Sequence, residues 1–91
     1  MAREQRVVRF FGTVQGVGFR YATIHTARGY DVTGYVRNLA DGSVECLVEG
    51  EAEEIDAFVG AVSDRMRPYI RRQSHQTAPY SGSFAAFDVR F

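Results

Sequence analysis

The chain has 91 residues, 45% hydrophobic and 24% charged, which is one domain's worth of sequence with enough apolar residues for a small core and excludes a disordered chain. Its 11 cations, all arginine, balance 11 acidic residues, so it lacks both the cation excess of a non-specific nucleic-acid binder and the lysine of Schiff-base or P-loop chemistry. With one cysteine, Cys46, no apolar run of membrane-spanning length, and a charged N-terminus "MAREQRVVRF", it is expected to be cytoplasmic, without an intrachain disulfide or a membrane partner.

The first segment, "RVVRFFGTV", places Val8, Phe10 and Val14 on one parity and Val7, Arg9 and Phe11 on the other, as in a strand with one strongly apolar face. Helical spacing of Phe19, Ala22, Ala27 and Tyr30 predicts a weak helix, lowered in propensity by Thr23, Thr26 and Gly29. "DVTGYVRNL" reads as the second strand, Asp41-Gly42 as a hairpin turn, and "SVECLVEG" as the third strand, with Val44, Cys46 and Val48 alternating against Glu45, Leu47 and Glu49. "EAEEIDAFVGAVSDRM" is an amphipathic helix with acids at its start, arginines at its end and Pro68 beyond it. "YIRRQSHQT" then predicts a polar strand, "APYSGS" a loop, and "FAAFDVRF" a short closing strand. The order is an α+β, ferredoxin-like split βαβ sandwich: βαββαβ plus a C-terminal strand, two helices on one face of a mostly antiparallel sheet, in a single domain over 1–91.

Chemistry concentrates between the first strand and the first helix, in "TVQGVGFRYA". Gly16 and Gly18 permit positive φ, so that successive N–H groups can converge on an anion at a helix N-terminus; alone they fit a ligand-free tight turn better. Arg20 opposes the helix dipole by roughly 0.3–1 kcal/mol and has no carboxylate near it in sequence. A solvated arginine is the plain alternative, yet a guanidinium beside such a nest can grip two phosphate oxygens at once. Asn38 ends the second strand. It can be an ordinary pre-turn asparagine, but in a strand-helix-strand crossover both strand ends share one sheet edge. A side-chain amide there could hold a water beside the anion.

"GTVQGVGFR" (Gly12 to Arg20) and "GYVRNLADGSVECLVEG" (Gly34 to Gly50) closely resemble the two signature segments of the acylphosphatases, and the element order agrees over nearly the whole chain. The resemblance implies a metal-free, cofactor-free hydrolase acting on the carboxyl-phosphate bond of small acyl phosphates, with inorganic phosphate as product and competing anion. It places the phosphoryl group on the amides of Gln15, Gly16, Val17, Gly18 and Phe19 together with Arg20, and assigns Asn38 to the attacking water. No general base is evident; the leaving group is good, and a phosphate oxygen of the substrate could take the proton. The chain departs from the family at Gly29 and Asp31, so the first helix is expected to end early. It also departs in "YIRRQSHQTAPYSGS", which resembles the family loosely.

Other residues carry less. His25 and His75 lack matched partners and read as surface or structural side chains. Cys46 reads as an inert buried thiol. Arg65, Arg67, Arg71 and Arg72 read as solvated charge, and no grouping has metal-ligand spacing. One competing reading is the acylphosphatase-like domain of a carbamoyl-transfer maturation protein. It is disfavoured because Tyr21, not proline, follows Arg20 and the chain ends at Phe91. The other is a binding module. An RNA binder is disfavoured by the acids of "SVECLVEG", and a non-catalytic anion sensor would have no use for Asn38. The expectation is a monomer without nucleic-acid partners.

Overall fold

Alternation in the sequence becomes pairing in the structure. In the computed structural model, which describes residues 2–91, β1 (Arg3–Gly12), β2 (Thr33–Asn38), β3 (Val44–Glu51), β4 (Ile70–Pro79) and β5 (Phe87–Val89) form one sheet in the order β4-β1-β3-β2-β5. All pairs are antiparallel except β2 with β5. One sheet face supplies Val8, Phe10, Val36, Val44, Cys46 and Val48 to a core closed by Phe19 and Ala22 of α1 (Phe19–Ala27) and by Ile55, Phe58 and Val62 of α2 (Ala52–Arg65). This is the ferredoxin-like arrangement that the element order implies.

The helices obey different logic. In α2 a stripe of buried Ile55, Phe58, Val59 and Val62 does the packing, Glu53 and Glu54 lie in the first turn, and Arg65 in the last. Phe58 is fully buried against Tyr30 and Phe87, at ring separations of 6.1 and 5.2 Å, and such burial stabilises by about 1.5–3 kcal/mol. The first helix is short and has no acidic residue in its first turn. Thr23 and Thr26 hydroxyls donate back to the Phe19 and Ala22 carbonyls, and the helix ends at Ala27, before Gly29. The early end anticipated from Gly29 and Asp31 is what the backbone shows.

Register decides where the loops meet. Phe10 of β1 and Asn38 of β2 both sit opposite Val44 of β3, so the last residue of β2 is level with Phe10, two residues before the end of β1 and two strand spacings or about 10 Å from it. β4 runs on to Pro79, two residues past the strand read from sequence.

The other sheet face differs from a simple exposed face. Glu49 is 1% exposed and accepts hydrogen bonds from Gln5 Nε2 (2.9 Å), the Ser81 N–H and Oγ (both 2.8 Å) and the Gly82 N–H (3.0 Å). Glu45, also buried, accepts from Arg37 Nε (2.7 Å) and the Tyr35 hydroxyl (3.2 Å), with Arg9 at 3.7 Å. These two acids are consumed inside the fold and are not displayed as surface charge. Phe84 packs on Tyr35 at 6.0 Å, so residues from the β4–β5 connection cover part of this face.

Candidate active site

The β1–α1 loop is fixed at both ends by the core. Phe10 and Phe19 meet at a ring separation of 5.0 Å, and Val14 between them is completely buried. Gly12 makes the strand end possible: a Cβ there would lie 2.3 Å from the Tyr69 carbonyl oxygen, which accepts the Thr13 N–H at 3.0 Å. The loop is thus pinned to the 3-10 turn Arg67–Tyr69 on one side and to α1 on the other.

Between these anchors, Gly16 and Gly18 lie exposed at φ 77° and 76°, and Gly18 caps α1 in the left-handed region. A Cβ at either glycine would meet no atom within 4 Å, so it is conformation and not crowding that requires glycine here. The Ala22 N–H closes the first helical turn on the Gly18 carbonyl (3.0 Å). Among the described residues, the N–H groups of Gln15, Gly16, Val17, Gly18 and Phe19 have no intramolecular acceptor outside the regular elements. Left-handed glycines and free N–H groups at a helix N-terminus are the ingredients of an anion nest.

Arg20 lies in the first turn of α1, partly buried. No carboxylate among the described residues lies within 4.0 Å of it, and its guanidinium carbon stands 5.0 Å from the centre of the Phe91 ring. A charge held at the positive end of a helix without a counter-ion is unfavourable unless something else compensates it. Asn38 shares parity with Val36, on the helix-bearing side of the sheet, and among the described residues its side chain makes no hydrogen bond. The structure therefore brings the loop, Arg20 and the Asn38 position to one edge of one face.

Sequence reasoning passed over one side chain here. The Gln15 amide nitrogen donates to the carbonyls of Leu39 (2.8 Å) and Ser43 (3.0 Å), joining the loop to the β2–β3 hairpin. No periodicity announces a bond across 24 residues. Arg37, next to Asn38, is held by the buried Glu45, which raises its pKa.

Several candidates remain apart. His25 is exposed, stacked on Tyr21 at 6.3 Å and 3.2 Å from an Arg65 nitrogen; His75 neighbours Gln73. Cys46 is buried and its thiol pKa is pushed far up by burial, as an inert thiol requires. Two surface clefts, one lined by Ser63, Asp64, Arg67, Ile70 and Gln73 and the other by Ile24, Arg28, Tyr30 and Phe87 among others, contain no loop residue. An anion gripped by backbone needs no deep cleft. Among the described residues, no helix is long and apolar enough to cross a membrane.

With this geometry in place, comparison with known proteins is informative. The sequence model of the acylphosphatase family matches residues 6–89. The chain belongs to the acylphosphatase family. An acylphosphatase from Listeria welshimeri is 48% identical over 71 residues, covering 78% of this chain and 76% of that one. The crystal structure of acylphosphatase from Bacillus subtilis superposes with a TM-score of 0.87 at 29% identity, covering 97% of this chain and 99% of that one. A crystal structure of T. kodakarensis HypF matches with a TM-score of 0.83 at 31% identity, but covers 97% of this chain and only 12% of the larger one. Membership makes the chain a hydrolase of the acylphosphatase type.

Proposed function

We propose that the chain hydrolyses small acyl phosphates to a carboxylate and inorganic phosphate, with the phosphoryl group held by the amides of Gln15, Gly16, Val17, Gly18 and Phe19 and by Arg20. The observation that carries this is Arg20 itself: a cation with no carboxylate partner among the described residues, beside left-handed Gly16 and Gly18 at the N-terminus of α1. A dianionic phosphoryl group supplies the missing partner, and a planar guanidinium can take two of its oxygens.

Asn38, level with Phe10 near the end of β1, orients the attacking water with its amide. The water oxygen bonds to phosphorus, the bond from phosphorus to the acyl oxygen breaks, and the carboxylate leaves with its electron pair. The water's proton passes to a phosphate oxygen. Catalysis of this kind rests on placement and charge stabilisation more than on acid-base groups. Removing one preorganised donor to developing charge typically costs about 10²–10³ in rate. The same reading makes the chain a cytoplasmic monomer that needs no metal, cofactor, nucleic acid or membrane.

The test is hydrolysis of an aromatic acyl phosphate by the purified chain in EDTA, with inorganic phosphate as competitor. Turnover that persists in chelator and is inhibited competitively by phosphate supports the reading. Absence of turnover, with phosphate still bound through Arg20, makes the chain an anion-binding module.

A further inference from the structure

We infer that the Gln15 side chain is a positioning residue that sets the separation between the phosphate cradle and Asn38, an inference that rests on the roles just proposed for both. Gln15 contributes to the cradle through its backbone, but its side chain points elsewhere in function. Its amide nitrogen gives one hydrogen to the Leu39 carbonyl at 2.8 Å and the other to the Ser43 carbonyl at 3.0 Å. Carbonyls only accept, so the nitrogen and not the oxygen must face them.

Both acceptors already belong to the β2–β3 turn. The Ser43 carbonyl takes the Leu39 N–H at 2.9 Å and the Leu39 carbonyl takes the Gly42 N–H at 3.2 Å. Leu39 immediately follows Asn38, whose own backbone is registered against Val44. Asn38 is therefore held on one side by the sheet and on the other by a turn that Gln15 ties to the loop. Among the described residues, these are the only side-chain hydrogen bonds between residues 13–18 and the hairpin. The proposed cradle lies in the β1–α1 loop and the water-orienting amide on the last residue of β2, and Gln15 is the polar strut that joins the two segments.

The consequence is specific. An attacking water must lie within about 3–3.5 Å of phosphorus, and a displacement of about 1 Å can cost 10²-fold in rate. Loss of the strut lets the hairpin shift relative to the cradle, while the cradle keeps its own backbone and Arg20. Turnover falls and phosphate affinity does not. The two carbonyls keep their turn hydrogen bonds, so removal of the amide leaves no unpaired buried group and the variant folds.

The experiment is a double-mutant cycle using Gln15→Leu, which keeps the volume, and Gln15→Ala as a second variant. Each is made in the wild-type and Asn38→Ala backgrounds, with residual turnover measured at raised enzyme concentration. Steady-state kinetics on an aromatic acyl phosphate and the Kd for inorganic phosphate are read for all. The expected result is a roughly 10- to 100-fold fall in kcat, a phosphate Kd within about 3-fold of wild type, and less than a 2-fold further fall in kcat when Asn38 is already alanine. A fall of the same size in both backgrounds overturns the strut, because Gln15 would then act on the cradle or on the fold generally. Unchanged kcat in Gln15→Leu overturns it too. Wild-type turnover in Asn38→Ala alone defeats the water-orienting role and the strut with it, and that single variant is read before the cycle.

Discussion

Replacing Gly18 by alanine probes the proposed cradle with a known perturbation. Gly18 has φ 76° and ψ 22°, and an added Cβ would meet nothing within 4 Å, so the entire cost is conformational. A non-glycine residue in the left-handed region costs roughly 1–2 kcal/mol. That energy has two places to appear. If the loop keeps its shape, folding stability falls by the full amount, a drop in Tm of about 4–16 °C for a domain of this size. If the free loop relaxes instead and regains the left-handed shape only when phosphate binds, phosphate affinity falls by about 5- to 30-fold. Thermal melts by circular dichroism and phosphate titration calorimetry on the same protein separate the two. The expected outcome is a loss whose two parts together come to about 1–2 kcal/mol. A variant with wild-type Tm and wild-type phosphate affinity would refute the reasoning, since position 18 would then not be held left-handed by the fold or by the ligand.

Glycines elsewhere should behave differently. Gly34→Ala places a Cβ 1.9 Å from the Leu47 carbonyl oxygen within the β2–β3 pairing, and it should abolish cooperative folding in a thermal melt. Gly60→Ala, on the exposed side of α2 with free space around it, should stabilise by about 0.5–1 kcal/mol and leave kcat unchanged. Burial resists the charge on Glu49, but the hydrogen bonds from Ser81, Gln5 and Gly82 outweigh it and hold its pKa below the ordinary 4.5. A carboxyl depressed on folding stabilises above its unfolded pKa and loses that contribution as pH falls through the folded one. Urea denaturation of wild type should therefore show stability declining below about pH 4.5. Glu49→Gln should be less stable at pH 7 and show a flatter decline in acid; an unchanged acid slope would assign it to other carboxyls.

The fold was legible because its main elements announce themselves locally. The Val44-Cys46-Val48 alternation, the Ile55-Phe58-Val62 stripe and the Asp41-Gly42 turn each need only their own neighbours to be read. The β1–α1 loop stood out for a related reason: two glycines and an arginine are costly choices at a helix start. What escaped depends on partners far away. Alternation in β3 is ambiguous about whether Glu45 and Glu49 meet water, and it is Arg37, Gln5 and the Ser81–Gly82 backbone that bury them. The side-chain hydrogen bonds of Gln15 escaped in the same way, since their acceptors are backbone carbonyls 24 and 28 residues on and carry no residue-type signal. The full length of β4 escaped because its burial pattern is mostly exposed and its side chains polar, so only the pairing with β1 defines it.

The central claim is a division of labour, with Arg20 binding the phosphoryl group and Asn38 placing the water. The most direct test measures kcat on an aromatic acyl phosphate and Kd for inorganic phosphate in wild type, Arg20→Ala and Asn38→Ala. The account predicts that Arg20→Ala loses phosphate affinity and turnover together. It predicts that Asn38→Ala keeps phosphate affinity within about 3-fold while kcat falls by about 10²-fold or more. Equal losses of affinity in both variants, or near-wild-type turnover in Asn38→Ala, would contradict it.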